Sequence, residues 1–395
     1  MAVNYLQYIR SIQSDGRWGT PELRFLVSGA DSQVRRVVGE AILSDCRTRS
    51  KTLYLVDYTQ GAIGAGGRLG ALPVRDALDS PVRLCGDLLE VDTVPQISRL
   101  RNLLASLGFD GTRAMKVVTY LSFVRETERR LGNRGTLTTQ VLEEYSSVKA
   151  VTWKLERLAA VRGISEETHE YLLGKYVEIS GAAADFELFL GLLTPFLEGE
   201  PPRPGEVIRL SVGRFSADPP IQSLMCALLL SCLRQSPESS AVLILDNGRG
   251  DRCALLDLLQ SLPTTVQVHL LSQDVFSLED GAQNLLMNTF SVRIYTRHED
   301  MSSCRRIEDL CGQIDVVKRA STVTVDRRLR ANSPWDLLFG TNRTETEIQN
   351  APTKEARFRK EWIHALPPST GILDCGGTPV LCPFELEASK RRSFT

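Results

Sequence analysis

The chain has 395 residues, 42% apolar and 24% charged, a balance that excludes a disordered or fibrous chain and leaves room for more than one hydrophobic core. Its 47 lysines and arginines nearly cancel 48 aspartates and glutamates, so the whole protein offers no electrostatic footprint for nucleic acid or anionic lipid. No apolar run approaches the roughly 20 residues of a membrane span, and the start MAVNYLQYIR has no apolar signal core, which predicts a cytoplasmic protein without a span.

Residues 24–28 (RFLVS) form a short apolar run that ends in Gly29, after which Val34, Val37, Val38, Ala41 and Ile42 recur at helical spacing. A second strand is predicted at 52–56 (TLYLV), ended by Asp57 and the glycine-rich stretch TQGAIGAGGRLG. Two strands about one helix make a βαβ unit, hence a parallel sheet with a right-handed crossover.

From about residue 88 to 197 the apolar spacing is three or four throughout, with glycine or proline between segments. This predicts a helical bundle inserted into the α/β chain, closed by the turn-rich EGEPPRPGE (198–206). Strands resume at 207–212, 241–245, 265–271 and 290–295, separated by helical stretches, the mark of a mostly parallel sheet covered on both faces. Residues 320–370 read as a polar, weakly periodic excursion, GILDCGGTPVLCPF as a hairpin near the sheet edge, and SKRRSFT as a loose basic tail.

The nine cysteines stand singly and predict reduced thiols. Histidines 169, 269, 298 and 364 have no spacing that pairs them, so each reads as a packing or surface residue, and no metal site is expected.

Three strand ends carry polar residues that bear on chemistry. In a phosphate-binding loop of the form G-x-x-x-x-G-K-[ST], backbone N–H groups cradle phosphates, the lysine neutralises them and the hydroxyl binds magnesium. Here the stretch is Gly29-Ala30-Asp31-Ser32-Gln33-Val34-Arg35-Arg36: Val34 replaces the second glycine, Arg35 the lysine and Arg36 the hydroxyl. AVLILDNG has the form of a Walker B strand, with Asp246 in place but Asn247 where a catalytic acid would stand. In LLSQD, Gln273 occupies the place of a γ-phosphate sensor.

In this order the segments resemble the TraD/TraG-type coupling ATPases of type IV secretion and conjugation, relatives of the FtsK and HerA motors. The likeness runs from FLVSG and LYLVDYTQG through the helical insertion to AVLILDNG and the block LLSQDVFSLEDGAQNLLMNTFSVRIYTRHEDMSSCRRIEDLCGQIDVVKR. It implies a RecA-like, mostly parallel sheet with helices on both faces, split as 1–87 and 201–320 around an all-α domain at 88–200, with 321–395 as excursion, hairpin and tail. It also implies a site at Gly29, Arg35, Arg36, Asp246, Asn247 and Gln273. Arg36 and Asn247 would remove magnesium placement and water activation, each worth several kcal/mol of transition-state stabilisation. The expectation is a pseudo-ATPase, with no cofactor or at most ATP, that serves as scaffold or adaptor beside an active coupling ATPase. A weakly active translocating ATPase with an altered loop, or an unrelated α/β scaffold, is the alternative. Either Asp31 or Asp57 is expected to supply the anion that Arg35 and Arg36 require at a helix start.

Overall fold

The computed structural model describes residues 24–59, 74–84, 89–133, 137–162, 165–197, 199–215, 219–246, 252–326 and 343–384. The glycine-rich stretch after Asp57, Asn247 and the basic tail lie outside them.

β1 (Phe25–Ser28), α1 (Ser32–Thr48) and β2 (Thr52–Asp57) form the expected βαβ unit. α1 buries Val34, Val38, Ile42 and Cys46, a stripe at every fourth residue. After the short β3 (Val74–Asp76) come six helices: α2 (Val94–Ser106), α3 (Gly111–Arg130), α4 (Thr139–Glu143), α5 (Val148–Arg162), α6 (Glu166–Ile179) and α7 (Ala183–Leu197). β4 (Val207–Leu210), α8 (Pro219–Gln235), β5 (Ser240–Asp246), α9 (Arg252–Ser261), β6 (Gln267–Ser272), α10 (Asp280–Thr289), β7 (Val292–Tyr295) and α11 (Met301–Cys311) then alternate strand with helix. The chain continues as β8 (Gln313–Asp326), β9 (Arg343–Ala356), α12 (Lys360–His364), β10 (Thr370–Asp374) and β11 (Val380–Pro383).

Nine strands form one sheet in the order β11-β10-β7-β1-β6-β5-β2-β4-β3. All neighbours from β7 to β3 are parallel, and β10 and β11 add an antiparallel edge. The first strand lies between the fourth and fifth of the five core strands β7-β1-β6-β5-β2, the RecA-like order. Alternation along each strand feeds two cores. Phe25, Val27, Leu53, Leu55, Leu243 and Leu245 face α1, whereas Leu26, Tyr54, Val56, Val242 and Ile244 face the other helices. Helices therefore cover both faces, with α1 the one helix among the described residues whose side chains join the first core.

The second core does not stop at the sheet. It runs without a break from Leu26 and Val56 through Leu224 and Leu228 of α8 into Leu100, Leu121 and Tyr176 of the helices between β3 and β4. Aromatic rings knit those helices: Phe123 meets Tyr145 edge-on at 6.2 Å and Tyr176 at 5.7 Å.

Two features depart from the sequence expectation. The expected excursion at 320–370 contains regular structure among the described residues: β8, which begins before it, and β9 pair antiparallel over fourteen residues each, as a two-stranded sheet separate from the main one. The expected strand over 290–295 begins only at Val292, because Phe290 is the C-cap of α10.

Candidate functional site

In a parallel sheet of this kind the loops at the C-terminal strand ends carry ligands, and here the candidates gather at the ends of β1, β5, β6 and β7. Only Gly29, Ala30 and Asp31 separate β1 from α1. Gly29 adopts φ +142°, and a Cβ there would stand 1.9 Å from Thr296 Oγ1 and 3.0 Å from the Arg297 carbonyl oxygen, so the turn is pressed against the segment after β7.

The N–H groups of this turn are occupied by the protein itself. Gly29 N donates to Ser272 O (3.1 Å) and Ala30 N to Arg297 O (2.8 Å). Asp31 N donates to Thr296 Oγ1 (3.4 Å). The Asp31 carboxylate caps α1, accepting from Gln33 N (2.8 Å) and Val34 N (3.3 Å). Its second oxygen accepts from Ser369 N at 2.7 Å, and Ser369 Oγ donates to Gln33 Oε1 at 2.7 Å. A carboxylate thus stands where a phosphate-binding loop would present its helix N-terminus to ligand.

The arginines turn elsewhere. Arg35 donates through Nη1 to Gly29 O, and burial lowers the pKa of its guanidinium against the opposing pull of Asp31. Arg36 lies on the surface 3.7 Å from Glu40 one turn on. Neither reaches Asp57, whose buried carboxylate accepts from Arg209 Nε (3.0 Å) and Thr59 N (2.9 Å). The pairing of Arg35 or Arg36 with Asp31 or Asp57 expected from the sequence is not made: Asp31 instead caps the backbone of α1, and Asp57 pairs with Arg209. Val34, at the second glycine position, is fully buried in the core. The described residues therefore do not fit a triphosphate: the turn is short, its donors are engaged, Arg35 is bonded to the carbonyl of Gly29, and Arg36 pairs with Glu40.

Asp246 is buried at the end of β5 and accepts weakly from Ser272 Oγ on β6 (3.4 Å), its register partner. Gln273, the expected sensor, is exposed. The buried polar residue at this strand end is Ser272, the last residue of β6, one position earlier.

The sequence reading missed the histidines' partners. Buried His298 donates from Nδ1 to Thr296 O (2.9 Å) and accepts at Nε2 from Ser28 Oγ (2.9 Å), which itself accepts Val275 N–H (3.2 Å). A carbonyl only accepts, so Nδ1 carries a proton; burial lowers the His298 pKa and favours the neutral ring, in which Nε2 is the acceptor. The pairing is not a nucleophile relay. Asp274 lies 3.8 Å from Nε2, on the serine side, whereas a triad carboxylate would hold Nδ1. His364 Nδ1 donates to His298 O (2.9 Å), tying α12 to the same knot. No spacing in the sequence announces a contact across 270 positions.

No cluster of metal-ligating side chains occurs among the described residues, and no described helix is long and apolar enough to cross a membrane. Against known protein families and curated proteins the sequence has no match. Solved structures similar to the chain include the bacterial conjugative coupling protein TrwBdeltaN70 in complex with sulphate, at 15% identity over 92% of this chain and 85% of that one, TM-score 0.43. TrwB with the GTP analogue GDPNP is similar at 14% identity over 92% and 85%, TM-score 0.46. VirB4 of Thermoanaerobacter pseudethanolicus is similar at 10% identity over 92% and 89%, TM-score 0.47.

Proposed function

We propose that the chain is a non-hydrolysing, nucleotide-free RecA-like subunit, a scaffold or cargo adaptor of a type IV secretion or conjugation-type apparatus in the cytoplasm, seated beside an active coupling ATPase. In this reading residues 1–87 and 201–320 make the RecA-like part and residues 88–200 the all-α, partner-facing part. The setting rests on the sequence resemblance; the loss of turnover rests on the site.

The observation that supports it most is Asp31. Its carboxylate occupies the first N–H groups of α1, the same donors that would otherwise hold a phosphate. Bringing a polyphosphate there requires displacing that cap and its bond to Ser369, and the incoming anion would meet a fixed negative charge. Magnesium would find Arg36 in place of a hydroxyl, and Asn247 cannot act as a base.

The test is turnover and binding by the purified chain. We expect no magnesium-dependent ATP hydrolysis above background and no saturable binding of a fluorescent ATP analogue with or without magnesium. A steady rate abolished by Asp246→Ala would overturn the proposal in favour of an active translocating ATPase.

A further inference from the structure

We propose that the helices between β3 and β4 carry a self-complementary contact: the exposed stripe Lys149, Trp153 and Arg157 of α5 in one copy of the chain docks antiparallel on Glu170, Gly174 and Glu178 of α6 in a second copy. The contact lies apart from the strand ends and does not depend on what they bind.

The two stripes match in length and in sign. Each recurs at every fourth residue, so each follows one face of its helix over eight residues, about 12 Å at 1.5 Å per residue. Run antiparallel, Lys149 meets Glu178, Trp153 meets Gly174 and Arg157 meets Glu170. The centre also fits in shape. Trp153 is 60% exposed, and a Cβ added at Gly174 would meet nothing within 4 Å, so the glycine leaves a notch in α6 level with the indole. Val177, 61% exposed, adds apolar surface beside that notch. An exposed tryptophan next to an arginine is the side-chain pairing on which protein interfaces most often turn.

A solvated helix face commonly satisfies its own charges, as α3 does with Glu126 and Arg130. α5 and α6 do not. Lys149, Glu170 and Glu178 make no ion pair among the described residues. Arg157 has only the Trp153 ring, 5.3 Å from its guanidinium carbon, a neutral partner that leaves the charge unmatched. Glu166 and Glu167 precede Glu170, and Lys175 is paired with Glu126, so the exposed side of α6 is acidic throughout. Glu156, the one acid of α5, falls in this register level with Tyr171, beside which Lys175 stands.

Two of the unmatched charges also stand at the wrong ends of their helices. Lys149 is the second residue of α5, at the positive end of the dipole, where the first turn holds no acid. Glu178 lies in the last turn of α6, at the negative end, where no basic residue answers it. Each works against its own helix, and setting Lys149 of one copy against Glu178 of another relieves both. A second copy is the occupant because one chain supplies both halves, opposite in charge and equal in spacing.

The experiment is sedimentation velocity of the full chain with a charge swap. The protein should self-associate reversibly at concentrations up to about 100 μM, less as salt rises from about 50 to about 300 mM. Lys149→Glu with Arg157→Glu, and separately Glu170→Lys with Glu178→Lys, should each weaken self-association at least about 10-fold. All four residues are exposed, so both variants keep the thermal melt of the parent. Mixing the two variants sets reversed α5 against reversed α6 and should restore association to within about threefold of the parent. Gly174→Gln fills the notch; it should raise the melting temperature through helix propensity while weakening association at least about 10-fold. A chain that stays monomeric at about 100 μM, association that survives either double variant, or double variants that do not associate when mixed would overturn the proposal.

Discussion

The carboxylate of Asp31 and the backbone N–H of Ser369 lie 2.7 Å apart across 338 positions of chain. One side chain therefore caps the first helix of the βαβ unit and anchors the turn that enters β10, the strand that extends the sheet antiparallel beyond β7. A cap alone is a local device; this one closes the edge of the sheet onto its centre.

Asp31→Ala should destabilise the protein by about 2 kcal/mol, near the upper end for a lost N-cap, because a long-range bond goes with it. Urea denaturation measures this. Asp31→Asn keeps one acceptor for the helix N–H groups but turns its amide NH2 towards Ser369 N–H, so it should recover only the share of the loss that belongs to the cap. Equal losses in the two variants would show that the bond to Ser369, rather than the cap, carries the stability.

Gly29→Ala should cost about 3 kcal/mol or more, since it combines strain at φ +142° with a Cβ 1.9 Å from Thr296 Oγ1. Adding Thr296→Gly removes the side-chain clash but leaves the Arg297 carbonyl oxygen 3.0 Å away and the strain, so stability measured by chemical denaturation should return only in part. Full recovery would exclude backbone strain as a cause.

His269 lies buried in β6, stacked on Phe25 with ring centroids 5.2 Å apart, and burial lowers its pKa to about 3. The unfolded chain takes up this proton near pH 6.5, while the native state does so only near its lower value. Between those limits the unfolded state binds more protons, so stability falls as pH drops from about 6.5 towards 3. His269→Leu should flatten part of that slope in urea denaturation measured at several pH values. An unchanged slope would show that His269 is not neutral in the native protein.

Glu128 is buried in α3, where it accepts from Tyr145 Oη (2.7 Å) and Asn133 Nδ2 (2.8 Å) and pairs with Lys154, which also reaches Glu144 at 2.6 Å. Burial pushes its pKa up, yet the bonds from Lys154 and Tyr145 outweigh that and hold it below the ordinary value. Its stabilisation is thus full above the unfolded value of about 4.3 and is lost as pH falls through the lower folded value. Glu128→Gln should cost about 1–2 kcal/mol at neutral pH, because the charge-assisted bond from Lys154 is lost while Lys154 keeps Glu144. Its thermal midpoint should also lose the acid-dependent fall that Glu128 contributes.

The strands and the first helix were legible in the sequence because short continuous apolar runs, which mark strands buried on both faces, and the four-residue stripe of α1 are local properties. The helical character of the stretch between β3 and β4 was legible for the same reason, as was the hairpin of β10 and β11. The chemical departures at Val34, Arg35 and Arg36 could also be read residue by residue.

Tertiary structure alone decided what those departures mean. That Asp31 caps α1 and takes the N–H of Ser369, that Thr296 presses on Gly29, and that Ser28 completes the bonding of His298 all join residues more than 250 positions apart. Sequence spacing carries no signal for such contacts. They arise because parallel strands far apart in the chain end at one rim, where every buried polar group must find a partner among whatever the sheet order brings beside it.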